Sequence, residues 1–267
     1  MNTAASSESA SLSSEPGPQL LVSICTYNER ENLPPLVESI HEHAPDAHIL
    51  VVDDGSPDGT GELADQLAES DPRFRVLHRA GKQGLGTAIL AAVNYAIEHH
   101  YDQWLNLDAD FSHHPKYIPA IRAAMGHADV VIGSRYVPGG GTVDWGFKRR
   151  AMSWAINTYA RTLLRLPVRD TSGSYRCYRL DRLRELDFSL FKARGYAVLE
   201  ELLYRCRRIG CRFAEVPIVF EDRRYGQSKI NYGEVFAALR VIASLSLESL
   251  TSKRVTKASV SEAEGVS

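Results

Sequence analysis

The sequence is poor in cysteine and has no long apolar run. Its four cysteines, Cys25, Cys177, Cys206 and Cys211, show neither a CxxC pair nor a repeated spacing. That pattern argues against a disulfide framework and a zinc site, so we expect four buried thiols in a reducing compartment. No apolar stretch approaches the roughly 20 residues of a membrane-spanning helix, and the N-terminal segment lacks the basic and apolar regions of a signal peptide. We therefore expect a chain that is neither secreted nor integral to a membrane.

The chain also lacks an overall excess of either charge. Its 31 Lys and Arg nearly balance its 33 Asp and Glu, which gives a formal net charge of -2. Binding of nucleic acid through bulk charge is therefore not expected, and no nucleic-acid reader motif is present. Between Phe147 and Arg184, however, ten Lys and Arg stand against two Asp. This local excess predicts a basic surface in the second half of the chain.

Both ends of the chain are short of bulky apolar residues. Residues 1–18 and 252–267 are predicted to be disordered tails, because such segments bury too little apolar surface to offset the entropy of ordering. Residues 19–251 are predicted to form a single domain. Its first part, 19–134, has the pattern of a nucleotide-binding unit, and the second part, 135–251, is expected to bind the acceptor substrate.

Short apolar strands alternate with helical segments through the first part. Strands are predicted at 20–25, 48–53, 74–78, 104–108 and 128–133, and helices at about 31–43, 60–69, 85–99 and 115–125. Strands that are apolar on both faces and separated by single helices indicate a parallel, doubly wound α/β sheet. Further on, the pattern predicts a glycine-rich loop at 138–146, helices at 147–166, 196–209 and 232–250, a segment at 171–180 and a strand at 213–220. Ligands bind beyond the carboxyl ends of such strands, so the site is expected there.

Acidic residues stand at the ends of two predicted strands. Asp53, Asp54 and Asp58 belong to the first group, and Asp108 and Asp110 to the second. Side chains two residues apart in an extended segment point the same way, so Asp108 and Asp110 can share a hard cation and hold it against a diphosphate. The alternative interpretation is that these aspartates only form turns or cap helices.

A glycine-rich loop, GKQGLG at 81–86, opens the predicted helix at 85–99. Such loops bring backbone N–H groups to phosphates. The loop is neither a dinucleotide fingerprint nor a Walker A motif, which argues against a dehydrogenase and a P-loop enzyme.

No Ser–His–Asp nucleophile set is discernible in the sequence. The adjacent His113 and His114 face different directions and cannot chelate a metal together. We predict that both are surface residues at the start of a helix.

The predicted helix at 147–166 is basic and carries an apolar stripe. The stripe consists of Met152, Ile156, Tyr159, Leu163 and Leu166. A basic amphipathic helix suits an anionic membrane surface that carries a lipid phosphate, and a helix packed into the core fits the same stripe. Both interpretations stay open at this point.

A series of motifs in fixed order resembles one enzyme family. The motifs are TYNERENLPPLV at 26–37, VVDDGSPDGT at 51–60, GKQGLGTA at 81–88, NLDADFSHHP at 106–115, GSRY at 133–136, TSGSYRCY at 171–178 and PIVFEDRRYGQSK at 217–229. Together they resemble the dolichyl-phosphate mannosyltransferases, inverting family-two glycosyltransferases of GT-A fold. The resemblance implies a Rossmann-like nucleotide-sugar-binding sheet flanked by helices, with amphipathic interfacial helices in the C-terminal part. Residues 19–134 are then the nucleotide-sugar half, and 135–251 the acceptor and membrane-surface half.

The resemblance also implies roles for individual residues. Catalytic roles fall to Asp110, Arg135, Arg223 and Lys229. Donor binding falls to Tyr27, Glu29, Asp53, Asp54, Asp58, Lys82, Asp108, Arg176, Glu201 and Ser228. The acceptor phosphate falls to Arg135, Arg149 and Ser153, and the metal to Asp108, Asp110 and Ser112. In the family's Tyr-x-Phe-Gln-x-Glu stretch, Leu199 stands at the Gln position and Glu201 at the Glu position.

The implied reaction is transfer of mannose from GDP-mannose to dolichyl or polyprenyl phosphate, dependent on Mg²⁺ or Mn²⁺. A lipid monophosphate is largely ionised near neutral pH, so it can attack the sugar without a protein base. The alternatives are a polyprenyl-phosphate glucosyltransferase that uses UDP-glucose and a non-catalytic nucleotide-sugar-binding subunit. The expected location is the cytoplasmic face of a membrane, bound peripherally and with a small membrane subunit as a possible partner.

Overall fold

The computed structural model describes residues 19–221 and 232–251. The strands are β1 Leu20–Thr26, β2 His48–Asp53, β3 Phe74–His78, β4 Gln103–Asp108, β5 Val130–Ser134, β6 Gly141–Thr142, β7 Arg176–Arg179, β8 Phe213–Pro217 and β9 Val219–Phe220. The helices are α1 Leu33–His43, α2 Thr60–Ser70, α3 Leu85–Glu98, α4 Ile118–Ala124, α5 Phe147–Leu163, α6 Leu180–Leu183, α7 Val198–Arg208 and α8 Tyr232–Thr251. The predicted tails, and with them Arg223, Ser228 and Lys229, lie outside the described residues.

Seven strands form one sheet in the order β3-β2-β1-β4-β7-β5-β8. The strands β3, β2, β1 and β4 run parallel, with Cys25 beside Val52 on one side and Asp108 on the other. Strand β1 therefore lies between β2, the next strand in the sequence, and β4. The ends of β1 and β4 border the crevice where the strand order reverses. Open α/β sheets bind ligands at such a crevice.

Strand β7 departs from the predicted parallel sheet. It lies between β4 and β5 and runs antiparallel to both. Helix α5 and the loop after it connect β6 to β7. The chain re-enters the sheet at the edge where β5 ends, with Arg176 beside Ile132, so β7 runs in the opposite direction. As a result, the 170–175 loop lies at the carboxyl ends of β4 and β5, on the edge where the site is expected.

The predicted strand at 213–220 is divided in two. Strand β8 pairs with β5 in the main sheet, whereas β9 pairs with β6 in a separate two-stranded sheet. The small sheet holds the glycine-rich loop of 138–146 beside the end of β5. Gly140 permits this approach, because a Cβ there would lie 2.4 Å from the Ser134 carbonyl oxygen.

Apolar side chains form two core clusters, one on each face of the sheet. Three of the five residues of the predicted apolar stripe join one of these clusters: Leu166, just after α5, is buried in it, and Tyr159 and Leu163 pack against it. The other two, Met152 and Ile156, are half-buried. The C-terminal part of the stripe therefore packs into the core. The opposite side of α5 exposes Phe147 to 85% and Trp154 to 61%.

All four cysteines are free thiols, three of them buried and Cys25 half-buried, as expected. Within residues 19–221 and 232–251, no helix combines the length and apolarity that a membrane crossing requires.

Candidate active site

Two parallel strands, β2 and β4, deliver acidic side chains to one edge of the sheet. Asp53 and Asp54 stand at the end of β2, and Asp108 at the end of β4, with β1 between them. Burial, together with the nearby carboxylates Asp108 and Asp54, raises the pKa of the Cys25 thiol at the end of β1 to about 12. The predicted carboxylates of β2 and β4 thus face the same crevice.

The carboxylates after β2 are fixed by hydrogen bonds from their own loop. Thr26 Oγ1 donates to Asp53 Oδ1 at 2.8 Å, and Ser56 donates to the same carboxylate through its backbone N–H and its hydroxyl. Asp58 accepts from the backbone and hydroxyl of Thr60, at the start of α2. These contacts agree with the turn and cap interpretation, and they also hold the β2 loop in one shape.

Asp54 contacts two residues that arrive from the glycine-rich region. Arg79 lies 2.8 Å from its carboxylate, and the backbone N–H of Gln83 donates to it at 3.2 Å. Lys82, on the same loop, places its ammonium 4.2 Å from the centre of the Tyr27 ring. The 81–86 loop is thereby brought to the ends of β1 and β2, so Tyr27 and Lys82 meet as predicted for one pocket.

Glu29 lies beside this pocket and is held in the β1–α1 loop. Its backbone N–H donates to Thr60 Oγ1 at 3.0 Å, and its carboxylate accepts from Asn32 Nδ2 at 2.7 Å. The loop after β1 and the start of α2 are thus joined. Glu29 therefore has the same neighbourhood as Asp58.

Asp108 is held from two sides by residues that the sequence did not single out for this role. Ser174 Oγ donates to Asp108 Oδ1 at 2.5 Å, and His113 Nδ1 lies 3.3 Å from Asp108 Oδ2. His113 is only 1% exposed and sits between the rings of Tyr175 and Phe220. The prediction of a surface residue is wrong for His113, because the turn after Asp110 directs it inward onto Asp108.

Asp110 is buried behind the end of β4 and is bonded by Ser112. Ser112 donates to Asp110 Oδ1 through its backbone N–H at 3.1 Å and its hydroxyl at 2.6 Å. Its hydroxyl proton is therefore directed at the carboxylate, so Ser112 orients Asp110 in this arrangement. Phe111 between them has φ 62, the left-handed backbone that makes the turn.

The donor set at this edge is suited to a hard divalent cation. Asp108 and Asp110 supply carboxylate oxygens, the side chain of Asp108 is 34% exposed, and no group of three His, Cys, Asp or Glu assembles as a metal site among the described residues. Mg²⁺ usually takes one or two carboxylates together with substrate phosphates and water rather than an all-protein cage. Two strand-end carboxylates fit that mode of binding.

Arg135 follows β5 and is bound to a buried aspartate. Its Nε and Nη2 donate to the two carboxylate oxygens of Asp170, both at 2.7 Å, and Asp170 is fully buried. Burial would lower the pKa of Arg135, but Asp170 and, more weakly, Asp108 raise it above its ordinary value. The guanidinium is therefore a fixed positive charge within electrostatic reach of Asp108.

The 170–174 loop joins this arginine to the end of β4. Ser172 Oγ accepts from Arg135 Nη2 and from Asn157 of α5, both at 3.0 Å, and two residues later Ser174 bonds Asp108. One short loop thus fixes a cation, a carboxylate and helix α5 relative to one another. This arrangement follows from the reversed direction of β7.

Arg149, the second arginine of the predicted acceptor set, packs against an aromatic ring. The guanidinium of Arg149 lies 4.1 Å from the centre of the Trp145 ring, and that of Arg135 lies 5.5 Å from it. Ser153 shares a 2.7 Å hydrogen bond with the Tyr136 hydroxyl. The three residues predicted for the acceptor phosphate are therefore brought together at the start of α5.

Arg176 and Glu201 lie beneath the site rather than in its crevice. Arg176 is fully buried and donates to the carbonyl oxygens of Thr171 and Leu199. Glu201 is also fully buried and accepts from the backbone of the 192–193 segment and from Arg205. In this structure Arg176 supports the 170–174 loop and Glu201 supports the approach to α7, so neither is placed to contact a donor directly.

Glu200 has no predicted role and is buried on α7. Burial raises its pKa to about 7, although the nearby Arg176 lowers it. Within the part of the chain that the structure describes, its Oε2 atom has no hydrogen-bond partner. The signal available in sequence is two consecutive glutamates on one helix, both of which turn out to be buried.

Comparison with known proteins places this site in a family. The profile described as Glycosyl transferase family 2 matches residues 21–187 of the chain. The chain belongs to glycosyltransferase family 2. The matched range includes both strand-end aspartates, Arg135 and the 170–174 loop.

Two similar relatives extend this assignment. An undecaprenyl-phosphate mannosyltransferase from Micrococcus luteus is 43% identical over 221 residues, which are 83% of this chain and 91% of the relative. A polyprenol monophosphomannose synthase from Mycolicibacterium smegmatis is 44% identical over 230 residues, which are 85% of this chain and 87% of the relative. The predicted resemblance is confirmed: this family-two glycosyltransferase is an enzyme, and its relatives support synthesis of polyprenyl-phosphate mannose.

Solved structures confirm the fold. Glucosyl-3-phosphoglycerate synthase from Mycobacterium tuberculosis, in complex with Mn²⁺, uridine diphosphate and glucosyl-3-phosphoglycerate, superposes with a TM-score of 0.61 at 21% identity, covering 87% of this chain and 80% of that one. Another structure of the same synthase gives a TM-score of 0.59 at 21% identity with the same coverage. The family-two glycosyltransferase described here therefore has the predicted GT-A fold.

Proposed function

We propose that this enzyme transfers mannose from GDP-mannose, with inversion at the anomeric carbon, to the phosphate of a polyprenyl or dolichyl lipid. One observation carries the proposal: the 170–174 loop bonds both the strand-end carboxylate Asp108 and Arg135, and Arg135 shares the Trp145 ring with Arg149. The strand-end carboxylates suit a nucleoside diphosphate held with a cation, and the two arginines suit a lipid phosphate. The names of the two similar mannosyltransferases support the sugar and the acceptor class.

The donor's nucleotide would occupy the crevice beyond β1 and β2. Tyr27 is 37% exposed and offers a ring beneath the Lys82 ammonium, a surface that suits a base or its sugar. The 81–86 loop supplies backbone N–H groups near Asp54, where a diphosphate can approach. Asp53 and Asp58 would act mainly by keeping the β2 loop in shape, because their oxygens accept hydrogen bonds from that loop.

Asp108 and Asp110 would hold Mg²⁺ or Mn²⁺ against the donor diphosphate. When bound, the cation supplies positive charge to the departing nucleoside diphosphate. Ser174 and His113 keep the Asp108 carboxylate oriented toward the crevice, and Ser112 does the same for Asp110. The Mn²⁺ in the structural neighbour with uridine diphosphate is compatible with a divalent cation here.

The acceptor phosphate would lie between Arg135 and Arg149. A dianionic phosphate oxygen attacks the anomeric carbon as the bond from that carbon to the donor diphosphate breaks, and the diphosphate leaves with the electron pair. No protein base is needed, because the attacking oxygen carries no proton. The enzyme's contribution is then to position the two substrates and to offset charge on both sides.

The membrane-facing surface would be the exposed side of α5. Phe147 and Trp154 are seven residues apart on that side, and Lys148, Arg150 and Arg161 are exposed on the same helix. Aromatic side chains flanked by cations suit the headgroup layer of an anionic leaflet, where each Lys or Arg adds about 1 kcal/mol of binding. Such docking would bring the acceptor arginines to the lipid phosphate. The proposed location is the cytoplasmic face of a membrane, with a small membrane subunit as a further partner.

A transfer assay with two donors tests the proposed reaction. The enzyme is incubated with a short-chain isoprenyl phosphate, Mg²⁺ or Mn²⁺, and either GDP-mannose or UDP-glucose, and the products are measured by mass spectrometry. We expect the mannosyl product with β configuration, since inversion converts the α-linked donor. A glucosyl product would assign the other donor, and transfer with neither would contradict the proposal.

Flotation with anionic liposomes at low and high salt tests membrane docking. We expect the wild-type protein to float at low salt and less of it at high salt, because the headgroup attraction is screened. The double variant Phe147→Ser and Trp154→Ser should remain at the bottom of the gradient, whereas Leu190→Ser, an exposed apolar residue on another element, should behave as wild type. If the wild type does not float in either buffer, unaided docking is ruled out.

A further inference from the structure

The Trp145 ring contacts both guanidinium groups of the acceptor side. The Cζ atom of Arg149 is 4.1 Å from the centre of its ring, and the Cζ atom of Arg135 is 5.5 Å from it. The tryptophan is only 6% exposed, and its ring meets Phe220 of β9 at 72° with centroids 5.2 Å apart. Arg150 donates from Nε to the Trp145 carbonyl oxygen at 2.9 Å. The indole is therefore held in a fixed position, by packing against the Phe220 ring and by the hydrogen bond to the Trp145 carbonyl oxygen.

The two arginines differ in how they are held. Arg135 is locked by two hydrogen bonds to the buried Asp170 carboxylate. Arg149 extends from the first turn of α5 and rests on the Trp145 face at the shorter distance. A long guanidinium side chain loses much rotamer freedom when it is fixed, and the negative face of an indole is the aromatic surface that attracts cations best.

The same ring also lowers the cost of bringing two positive charges together. Like charges at short range repel, and Asp170 offsets the charge of Arg135. The negative π face of the indole also stabilises the positive charge of Arg149.

We infer that Trp145 is a positioning residue for the acceptor: its indole holds Arg149 in place beside Arg135 so that both can meet one monophosphate ester. The inference rests on the proposed function, because it takes a lipid phosphate as the anion between the two arginines. Trp145 acts through Arg149, so removal of the ring and removal of the guanidinium should damage the same step.

A double-mutant cycle on acceptor binding tests the inference. Binding of a water-soluble short-chain isoprenyl phosphate is measured by calorimetry without donor for the wild type, Trp145→Leu, Trp145→Phe, Arg149→Ala and the double variant Trp145→Leu with Arg149→Ala. We expect Trp145→Leu to weaken binding about tenfold and Trp145→Phe to recover most of that loss. In the Arg149→Ala background, Trp145→Leu should cause no further loss.

Two controls separate positioning from general damage. GDP affinity should stay at the wild-type level in every variant, and thermal melting should show that each is folded. Phe191→Leu removes a ring that lies 4.9 Å from the Arg205 guanidinium, on a different part of the molecule. It should leave isoprenyl phosphate binding unchanged.

Other outcomes overturn the inference. Additive losses for Trp145→Leu and Arg149→Ala, or an equal loss of GDP affinity, would show that Trp145 only packs the fold. Unchanged binding in Trp145→Leu would remove its role altogether. If the wild type binds isoprenyl phosphate but transfers mannose from no donor, the proposed reaction is wrong, and the double-mutant cycle still decides the role of Trp145. If the wild type binds no isoprenyl phosphate, both the proposed reaction and the role of Trp145 are wrong.

Discussion

Asp110, on the carboxylate side of the site, and Arg135, on the arginine side, are held by different kinds of contact. Asp110 accepts hydrogen bonds from Ser112, only two residues away along the chain. Arg135 donates to Asp170, which is 35 residues away. A local turn thus orients Asp110, whereas tertiary packing fixes Arg135.

This difference predicts different consequences of substitution. On the carboxylate side, removal of Asp110 should leave the fold largely intact and affect the reaction. On the arginine side, removal of a buried partner should affect folding as well. Five substitutions test these consequences.

Asp170→Ala should have the largest effect, on stability. It removes the carboxylate that accepts from Arg135 and Gly173 and leaves a buried guanidinium without its partner. Loss of one member of a buried ion pair costs about 3–5 kcal/mol. The free energy of unfolding in urea measures this cost. Asp46→Ala, which breaks the exposed pair with Arg122, should cost about 1 kcal/mol or less. Equal costs for the two variants would contradict the contrast.

Asp110→Ala should abolish most of the transfer activity with little change in stability. The carboxylate is proposed to hold a cation on the leaving diphosphate, and such a group contributes mainly in the transition state. A loss of about 10²–10³ in kcat is expected at saturating metal. Asp65→Ala, which removes an exposed aspartate of α2, serves as the control. Retention of more than about a tenth of the wild-type turnover would argue against the metal role.

Arg149→Ala and Ser153→Ala should weaken binding of the acceptor and leave binding of the nucleotide unchanged. The two side chains are one helical turn apart on α5, so a guanidinium and a hydroxyl can converge on one phosphate. We expect KM for a short-chain isoprenyl phosphate to rise about tenfold in Arg149→Ala and less in Ser153→Ala, with GDP affinity unchanged. Arg75→Ala, at the far edge of the sheet on β3, is the matched control. Parallel losses of GDP binding in calorimetry would move both residues to the donor side.

Glu200→Gln should have the smallest effect, visible in the pH dependence of stability. Burial raises the pKa of Glu200 to about 7 in the folded state, above its ordinary value. The folded state therefore binds the proton more tightly than the unfolded state, so this group's contribution to stability declines as pH rises from its ordinary pKa to about 7. Relative to wild type, the variant should gain stability as the pH rises from 4 to 8, because the amide does not titrate and its own burial cost is the same at both pH values. Melting curves that run parallel across this range would exclude the shift.

The strands of the first half could be predicted closely from sequence. Strands β2 and β3 have the predicted bounds, and β1 and β4 differ by one residue at an end. Their residues are apolar on both faces, and each is followed by a helix with turn residues between, so local pattern and tertiary structure agree. The carboxylate side was found for the same reason, since its residues stand at strand ends.

The direction of β7 and the burial of His113 could not be predicted. A four-residue strand has no period that distinguishes parallel from antiparallel pairing, and its neighbours are set by the whole sheet. The two adjacent histidines do face different directions, but which one turns inward depends on Ser174, 61 residues later. Arg176 illustrates the same limit, because its motif identifies a conspicuous cation without showing whether it faces the crevice or the interior.

The position of β7 also has a consequence for the order in which the chain can fold during synthesis. Strands β3, β2, β1 and β4 are complete once residue 108 has emerged, and they can pair without later sequence. Strand β5 cannot join them directly, because its place beside β4 is taken by β7, some forty residues further on. We therefore expect β4 to remain an open edge on the ribosome until residues 176–179 arrive. Asp108, at the end of that edge, cannot meet Ser174 before then, so the catalytic crevice is assembled in the same event that closes the sheet.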